Sequence, residues 1–164
     1  MRQTYPAIVP VGPVPSPALL HLNQADAVKL SSLDPAALAE LAGMAFMAAR
    51  IGEADALLIA FDQDAAYRSP NFLWFRQRFA RFVYVDRVVV AHASRGRGFA
   101  RHLYQALFAR AASAGHQRVV CEVNAEPPNP GSDAFHARME FMPVGTGEPL
   151  PGKRVRYLCH EPLG

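Results

Sequence analysis

The chain has 164 residues, of which 51% are hydrophobic and 19% charged, and this length and composition predict one globular domain with its own core. A formal charge of +3 favours an anionic ligand, but the chain lacks the dense basic stripes typical of proteins that bind nucleic acids. No run of about 20 apolar residues predicts a membrane span, and no signal peptide is evident. We therefore expect a cytoplasmic protein without a membrane or nucleic-acid partner.

The two cysteines, Cys121 and Cys159, lie in apolar, strand-like segments without the paired spacing of a zinc site. Free cysteines of this kind are usually buried. We therefore expect both thiols to be reduced core residues, and we expect no bound metal.

The first part of the chain is rich in proline. Each proline removes an amide donor and disfavours helix at the preceding residue, so residues 1–18 are predicted to form an extended N-terminal extension to a domain over residues 19–164. The extension would lie on the protein's own surface or on a second subunit, which leaves a homodimer open. A short strand is predicted over residues 19–23, followed by a helical turn that begins at Asn23 or Asp26.

The next segments alternate between helical and strand-like patterns. Asp34 before Pro35 is typical of a helix start, and the apolar spacing that follows predicts a helix over residues 35–50. Residues 71–82 combine aromatic side chains with arginines, which is typical either of a short helix or loop that covers the core or of a lid beside a substrate. The other predicted elements are strands over residues 54–62, 82–90, 118–125, 141–147 and 153–160, a helix over 99–114, and a short helix from Ser132 or Asp133 to Met139.

A strand, a glycine-rich loop and a helix follow one another without interruption in "VVVAHASRGRGFARHLYQALFARA", residues 88–111. Together with the strand predicted over residues 118–125, they form a β-loop-α-β unit with two parallel strands. The unpaired amides and positive dipole at the start of a helix bind anions, and glycines let phosphate oxygens approach the backbone. We therefore expect this loop to bind a phosphate group.

Two known phosphate-binding motifs fit the loop poorly. A P-loop requires a lysine and a hydroxyl residue after its last glycine, and "GRGFARH" has neither. A dinucleotide-binding fingerprint would use the two glycines with Glu122 as the ribose-binding acid, but the bulky Arg101 stands at its third small position. A nucleic-acid-binding module, suggested by "RGRG" and the arginines of residues 72–82, is the weakest alternative.

Residues 95–100, "RGRGFA", match the Gln/Arg-x-x-Gly-x-Gly/Ala signature, and the chain resembles the GNAT superfamily of N-acetyltransferases. The predicted order of strands and helices over residues 19–160 is similar to that fold. The resemblance implies a single α/β domain in which a mixed central sheet contains a parallel β-α-β core that binds coenzyme A. It also implies an acyltransferase whose co-substrate is acetyl-coenzyme A (acetyl-CoA).

The resemblance assigns residues to the cofactor. The amides of the loop would bind the pyrophosphate, the backbone of Val88 and Val90 would pair with the pantetheine arm, and Asn124 would contact that arm from the next strand. The loop arginines would add charge near the phosphates or lie in solvent. The residues of the loop are Arg95, Gly96, Arg97, Gly98, Phe99 and Ala100.

Transfer of an acetyl group to an amine requires a base for the amine and an acid for the thiolate that leaves. By resemblance, Asp86 on the strand before the loop is the first candidate for the base, although it could instead pair with neighbours of Arg87 or cap a strand edge. Glu122 on the parallel strand is the second candidate, and its alternative role is a salt bridge.

The family's "Tyr-x-x-x-Gly-Phe" segment corresponds to residues 136–141, where His136 replaces the tyrosine and Glu140 replaces the glycine. A histidine with a pKa near ~6.5 can donate a proton at neutral pH, so His136 is the candidate acid. Alternatively His136 is a packed histidine, and then Tyr104, Tyr84 or water would supply the proton.

The acceptor is not encoded in any motif. A small-molecule amine is the preferred acceptor, because no acidic run in the chain suggests a histone-like substrate. Trp74, Arg76 and Tyr84 are the residues expected to lie near it. Two alternatives stay open: a module that binds acyl-CoA as a sensor without turnover, and an N-acetyltransferase that acts on proteins or peptides.

Overall fold

The structure is a computed structural model that describes residues 4–25 and 33–163, so the helical turn predicted from Asp26 lies outside the described residues. The described strands are β1 (Ile8–Pro10), β2 (Met47–Ile51), β3 (Ala56–Asp62), β4 (Val83–Val90), β5 (Val119–Glu126), β6 (Met142–Leu150) and β7 (Lys153–His160). The described helices are α1 (Pro17–Ala25), α2 (Pro35–Met44), α3 (Pro70–Arg76), α4 (Phe99–Ser113) and α5 (Pro130–Arg138).

In the described part of the chain the seven strands form one mixed sheet in the order β1-β2-β3-β4-β5-β7-β6. β4 and β5 pair in parallel, with Val83 opposite Val119, whereas β5 with β7 and β6 with β7 pair antiparallel. The parallel pair is joined through α4. The prediction of an α/β fold whose mixed sheet contains a parallel β-α-β unit is therefore confirmed.

The chain forms two compact units, residues 1–61 with 85–107 and residues 62–84 with 108–164. The core of the first unit comes mainly from β2, β3 and the buried face of α4, and it includes Leu38, Ile51, Leu57, Leu58, Ile59, Leu103 and Leu107. The core of the second comes from α3 and from strands, and it includes Phe72, Phe75, Phe82, Val119, Val120 and Val155. The predicted boundary between an extension and a domain at residue 18 stays a prediction.

Both cysteines are free and buried, as predicted. Burial raises the pKa of the Cys159 thiol to about 11, and it also raises the pKa of Cys121. Thiols that stay protonated at neutral pH are poor nucleophiles, so both residues are core residues rather than reactive groups.

The strand predicted over residues 19–23 is wrong, because this segment is helical in α1. Ser16 caps the helix, since its hydroxyl accepts a hydrogen bond from the Leu19 amide at 3.2 Å and Pro17 occupies the first turn. Leu19, Leu22 and Asn23 face the interior at helical spacing. The Ser-Pro pair was the sequence signal for this helix.

The helix predicted over residues 35–50 is too long. Asp34 caps it as predicted, with its carboxylate accepting the Ala37 amide at 2.7 Å, but the helix ends at Met44. The chain then becomes extended at Ala45, and β2 alternates between buried and half-buried residues. Apolar residues at positions 45, 46 and 49 happen to continue the helical spacing of α2. The sequence pattern therefore predicts helix where the structure has β2.

Two further boundaries differ from the prediction. α5 begins before Ser132 and Asp133, because the side chain of Asn129 accepts the Ser132 amide at 3.3 Å and Pro130 opens the helix. Within residues 71–82, only the first half is helical, in α3.

Candidate functional site

The glycine-rich loop lies between a short 3₁₀ turn, His92–Ser94, and the first residue of α4, Phe99. Gly96 and Gly98 both have φ of +78°, a conformation that costs a residue with a side chain about 1–2 kcal/mol. A Cβ added at Gly96 would meet no atom within 4 Å, so the backbone is open on that side. The amides in the first turn of α4 have no acceptor within the helix. The loop thus presents backbone donors to an anion.

Contacts at both ends hold this loop in place. The Ser94 hydroxyl donates to the Asp55 carboxylate at 2.8 Å, and the amide of Ala91 donates to the backbone carbonyl of Asp55 at 2.8 Å. At the other end of the loop, the ring of Phe99 is buried, and the guanidinium carbon of Arg97 lies 4.7 Å from the centroid of that ring. Sequence reasoning missed Asp55, because its partners lie far away along the chain.

The remaining residues predicted to contact the cofactor in the first unit lie on or next to β4. Val88 and Val90 are half-buried and alternate with the buried Val89. Arg95 is exposed, and its Nε donates to the carbonyl of Val90 at 3.5 Å. Ala100 is half-buried in the first turn of α4. The strand and the loop signature are therefore continuous in space as well as in sequence.

Asp86, the first candidate for the base, is part of a buried polar chain in the first unit. Its carboxylate accepts a hydrogen bond from Nε of Arg87 at 2.9 Å, and the two side chains are only 6% and 5% exposed. Nη1 of Arg87 donates to the side-chain oxygen of Asn23 at 2.8 Å. This chain ties β4 to α1, and the partner of Asp86 in it is Arg87 itself.

Glu122, the second candidate, lies half-buried on β5 in the second unit. The buried Tyr84 donates its hydroxyl proton to the Glu122 carboxylate at 2.7 Å. Tyr157 stands opposite Glu122 in the register of β5 with β7, and its hydroxyl donates to Asn71 at 2.9 Å. Burial, followed by the charge of Glu122, raises the pKa of Tyr157. The Glu122 carboxylate therefore accepts a hydrogen bond from one tyrosine, Tyr84, and belongs to a residue that faces a second tyrosine, Tyr157, on the adjacent strand.

Trp74 and Arg76, predicted near the acceptor, lie on α3. The indole of Trp74 stacks on Tyr157, with ring centroids 4.0 Å apart, and the guanidinium of Arg78 lies 3.8 Å above the indole. The indole is half-buried and already contacts two side chains of the protein. Arg76 is exposed.

His136 lies buried in α5. Its Nδ1 lies 2.8 Å from the carbonyl oxygen of Ser132, and its ring packs edge-to-face against Phe135 and Phe141. Burial lowers the pKa of His136, although the bond to Ser132 opposes this. The neutral form then donates from Nδ1 to the carbonyl. This geometry matches the alternative of a packed histidine.

The position of the family's glycine, Glu140, has φ of +64°. The amide of Glu140 donates to the carbonyl of Ala137 and the amide of Phe141 donates to that of His136, both at 3.0 Å, which forms a Schellman motif at the end of α5. This backbone geometry explains why the resemblance leads one to expect glycine there. Asn124 is half-buried on β5, just before a register shift against β7.

The predicted site residues therefore fall into two groups, each described within its own unit. The first unit holds Asp86, Val88, Val90 and the loop, and the second holds Trp74, Arg76, Tyr84, Glu122, Asn124 and His136. Among the described residues no group of three or more His, Cys, Asp and Glu is arranged to hold a metal. A helix long and apolar enough to cross a membrane is likewise not found in the described ranges.

Comparisons with known proteins identify the family. The model of the acetyltransferase (GNAT) family matches residues 38–141, which is more than half of the chain and includes the glycine-rich loop. No curated protein has significant sequence similarity to the chain.

Several solved structures share the fold. The ribosomal-protein-S18-alanine N-acetyltransferase of Escherichia coli has a TM-score of 0.68 at 14% identity, covering 96% of this chain and 93% of its own. NAA60 of Arabidopsis thaliana, solved with acetyl-CoA, has a TM-score of 0.68 at 16% identity, covering 94% and 98%. Ard1 of Thermoplasma volcanium has a TM-score of 0.66 at 13% identity, covering 96% and 98%. At these identities the likeness to solved structures concerns the fold alone. The match to the family model shows that the chain belongs to the GNAT family of acetyltransferases and is an acyltransferase.

Proposed function

We propose that the protein transfers the acetyl group of acetyl-CoA directly to the amine of a small molecule. The observation that carries this proposal is the loop of residues 95–98, in which two glycines with positive φ precede the first turn of α4. In the GNAT family such a loop receives the pyrophosphate of the co-substrate. In the transfer, the amine nitrogen forms a bond to the acetyl carbon, the carbon–sulfur bond breaks, and the amine loses a proton as coenzyme A leaves.

The loop has the features that a pyrophosphate requires. Its open side at Gly96 leaves room for phosphate oxygens, and the dipole of α4 favours a negative charge at Phe99 and Ala100. Arg95 and Arg97 are exposed beside the loop and would add positive charge. The half-buried Val88 and Val90 would offer their backbone to the pantetheine arm.

For the base we favour Glu122 over Asp86. The Asp86 carboxylate is already paired with the buried guanidinium of Arg87. Glu122 instead receives a hydrogen bond from Tyr84, which orients its carboxylate. Asp86 then serves to anchor α1 through Arg87 and Asn23.

For the thiolate we favour water as the proton source. His136 is buried and its pKa is lowered by burial, so at neutral pH it has one ring proton, which is directed at the Ser132 carbonyl. Tyr104 is 1% exposed, and Tyr84 directs its hydroxyl proton to Glu122. None of these three groups offers a proton as readily as solvent does.

A protein N-terminus is the second candidate acceptor. It is favoured by the fold likeness to the ribosomal-protein-S18-alanine N-acetyltransferase of Escherichia coli. The two acceptors differ in size, so a panel that contains both small amines and short peptides with a free N-terminus distinguishes them.

The experiment combines binding and turnover. Calorimetry measures the affinity for acetyl-CoA, and a thiol-reactive dye measures the release of coenzyme A with each acceptor. We expect acetyl-CoA to bind and at least one small amine to be acetylated. Binding without turnover on any acceptor would contradict the enzyme and support an acyl-CoA sensor, and turnover on peptides alone would select the second acceptor.

Two matched substitutions test the base. Glu122→Gln is expected to lower kcat by about 100-fold or more, because general base catalysis contributes that much, while the affinity for acetyl-CoA is unchanged. Asp86→Asn is expected to lower the free energy of unfolding by about 3 kcal/mol through the lost ion pair, with turnover kept by the protein that remains folded. If Asp86→Asn lost turnover and Glu122→Gln kept it, the assignment would be reversed.

A further inference from the structure

Tyr5, in the proline-rich N-terminal segment, lies beside the glycine-rich loop. Its ring stacks on His102 in the second turn of α4, with centroids 4.5 Å apart and planes 14° apart. A Cβ built on Gly98 would lie 3.0 Å from the Tyr5 hydroxyl oxygen and 3.2 Å from its Cε1. The phenol therefore reaches the loop at the glycine that precedes α4.

The sheet and the helix fix this position from two directions. β1 begins three residues after Tyr5 and pairs with β2, with Ile8 opposite Ile51. Pro6 disfavours helical backbone at Tyr5, which lies in the segment just before the start of β1. On the helix side, the amide of His102 donates to the carbonyl of Gly98 at 3.0 Å, so the residue that stacks on Tyr5 is hydrogen-bonded to the loop itself.

This placement gives Gly98 two reasons to be glycine. Its φ of +78° disfavours any side chain, and the space that a side chain would take is filled by the Tyr5 phenol. Gly96, which has the same φ, has open space instead. The loop is thus open on one side and bounded by a hydroxyl group on the other.

We infer that Tyr5 is a further acetyl-CoA-binding residue, whose hydroxyl donates a hydrogen bond to a phosphate oxygen at the glycine-rich loop. The inference rests on the proposed function, since it requires the pyrophosphate to bind there. A phenol is both a donor and an acceptor, and a hydrogen bond from a hydroxyl to a charged oxygen is stronger than one between neutral groups. Stacking on His102 reduces the freedom that the side chain would lose on binding.

The same contact has an opposite interpretation, in which the phenol occupies the phosphate position and must move before the co-substrate binds. The two interpretations predict changes of opposite sign when the ring is removed. Donation by the hydroxyl predicts weaker binding after substitution, whereas obstruction predicts tighter binding.

The test compares Tyr5→Phe with Tyr67→Phe by calorimetry with coenzyme A. Tyr5→Phe keeps the ring that stacks on His102 and removes the hydroxyl alone, and we expect about 10-fold weaker binding, in line with the loss of a hydrogen bond to a charged group. Tyr67 is half-buried in the second unit and contacts Phe72, so Tyr67→Phe removes a hydroxyl elsewhere and should leave the affinity unchanged. Thermal melting of each variant shows that it is folded.

A second ligand separates the role of the hydroxyl from a general weakening of the site. With S-acetylpantetheine, which has no pyrophosphate, Tyr5→Phe should have the same KM as the wild type. Equal coenzyme A affinities of Tyr5→Phe and wild type would overturn the inference, as would tighter binding by Tyr5→Ala. Wild-type protein that binds no coenzyme A would instead overturn the proposed function, and this inference with it.

Discussion

Two pairs of glycines in this molecule have opposite surroundings. Gly96 and Gly98, before α4, both have φ of +78°, and the space at Gly96 is open. Gly145 and Gly147, in β6, have no positive φ, but a Cβ there would lie 2.5 Å from Trp74 and 2.6 Å from the Tyr157 hydroxyl. The positive φ requires glycine at both positions of the first pair, with the Tyr5 ring as an additional cause at Gly98. In the second pair aromatic side chains alone are the cause.

Glycine therefore has two separable uses in this chain. In the loop it exposes backbone amides, which serve a ligand. In β6 it leaves the space that side-chain atoms of Trp74 in α3 and Tyr157 in β7 occupy. Substitutions at the two places should therefore affect different measurements, ligand affinity in the first case and the free energy of unfolding in the second.

The largest effect is expected for Gly98→Glu. The new side chain meets Tyr5, strains the backbone and places a negative charge where we propose the pyrophosphate to bind. We expect acetyl-CoA affinity to fall at least about 100-fold, or about 2.7 kcal/mol, in a calorimetric titration. Gly43→Glu adds the same charge at an exposed position of α2 with no atom within 4 Å of the new Cβ, and its affinity should equal that of the wild type. An unchanged affinity in Gly98→Glu would contradict the ligand-binding role of the loop.

The next effect is expected for Gly145→Ala. Its methyl group would lie 2.5 Å from Cζ2 of Trp74, an atom of a rigid ring that is itself held between Tyr157 and Arg78. Overpacking of this kind lowers the free energy of unfolding by about 1–3 kcal/mol, measurable by urea denaturation.

The double variant Gly145→Ala with Trp74→Ala shows whether the ring is the cause. With the indole removed, the alanine at position 145 should cost less than it does in the wild type, and the two free-energy changes should not add. Additive free-energy changes would show that the indole is not the cause of the destabilisation. A weaker acetyl-CoA affinity in Gly145→Ala alone would show that the two glycine pairs do not have separate roles.

The smallest effect is expected at Glu140, a non-glycine residue whose backbone conformation favours glycine. Because its φ is +64°, Glu140→Gly should raise the free energy of unfolding by about 1 kcal/mol, which thermal melting can detect. Glu140→Ala retains the Cβ and serves as the control. If Glu140→Ala raised the free energy of unfolding as much as Glu140→Gly, the glutamate side chain, rather than backbone strain, would be what limits stability.

Some of this organisation is predictable from the sequence because it is local. The β4-loop-α4-β5 unit follows from strand and helix patterns in consecutive segments, and the loop signature spans six residues, 95–100. Local cues also existed where the prediction failed, since Ser16 and Pro17 mark the start of α1. At β2, by contrast, the apolar spacing of α2 continued into the strand, and pairing with β1 and β3 distinguishes the strand from the helix.

The contacts that decide the roles of site residues are not local. Arg87 meets Asn23 across 64 residues, and Tyr157 meets Asn71 across 86. The first contact gives the Asp86 ion pair its anchor, and the second fixes the tyrosine beside Glu122. Neither a composition nor a periodicity predicts which residues meet at such separations, so the sequence left both carboxylates as candidates for the base.

The most direct test of the account compares two thioesters that differ at the end proposed to meet the loop. Acetyl-CoA carries the pyrophosphate and the nucleotide, whereas S-acetylpantetheine presents only the pantetheine arm and the acetyl group. If the loop of residues 95–98 binds the pyrophosphate, calorimetry with wild-type protein should find acetyl-CoA bound at least about 100-fold more tightly, a difference of about 2.7 kcal/mol. Equal affinities for the two thioesters would contradict the assignment of the loop.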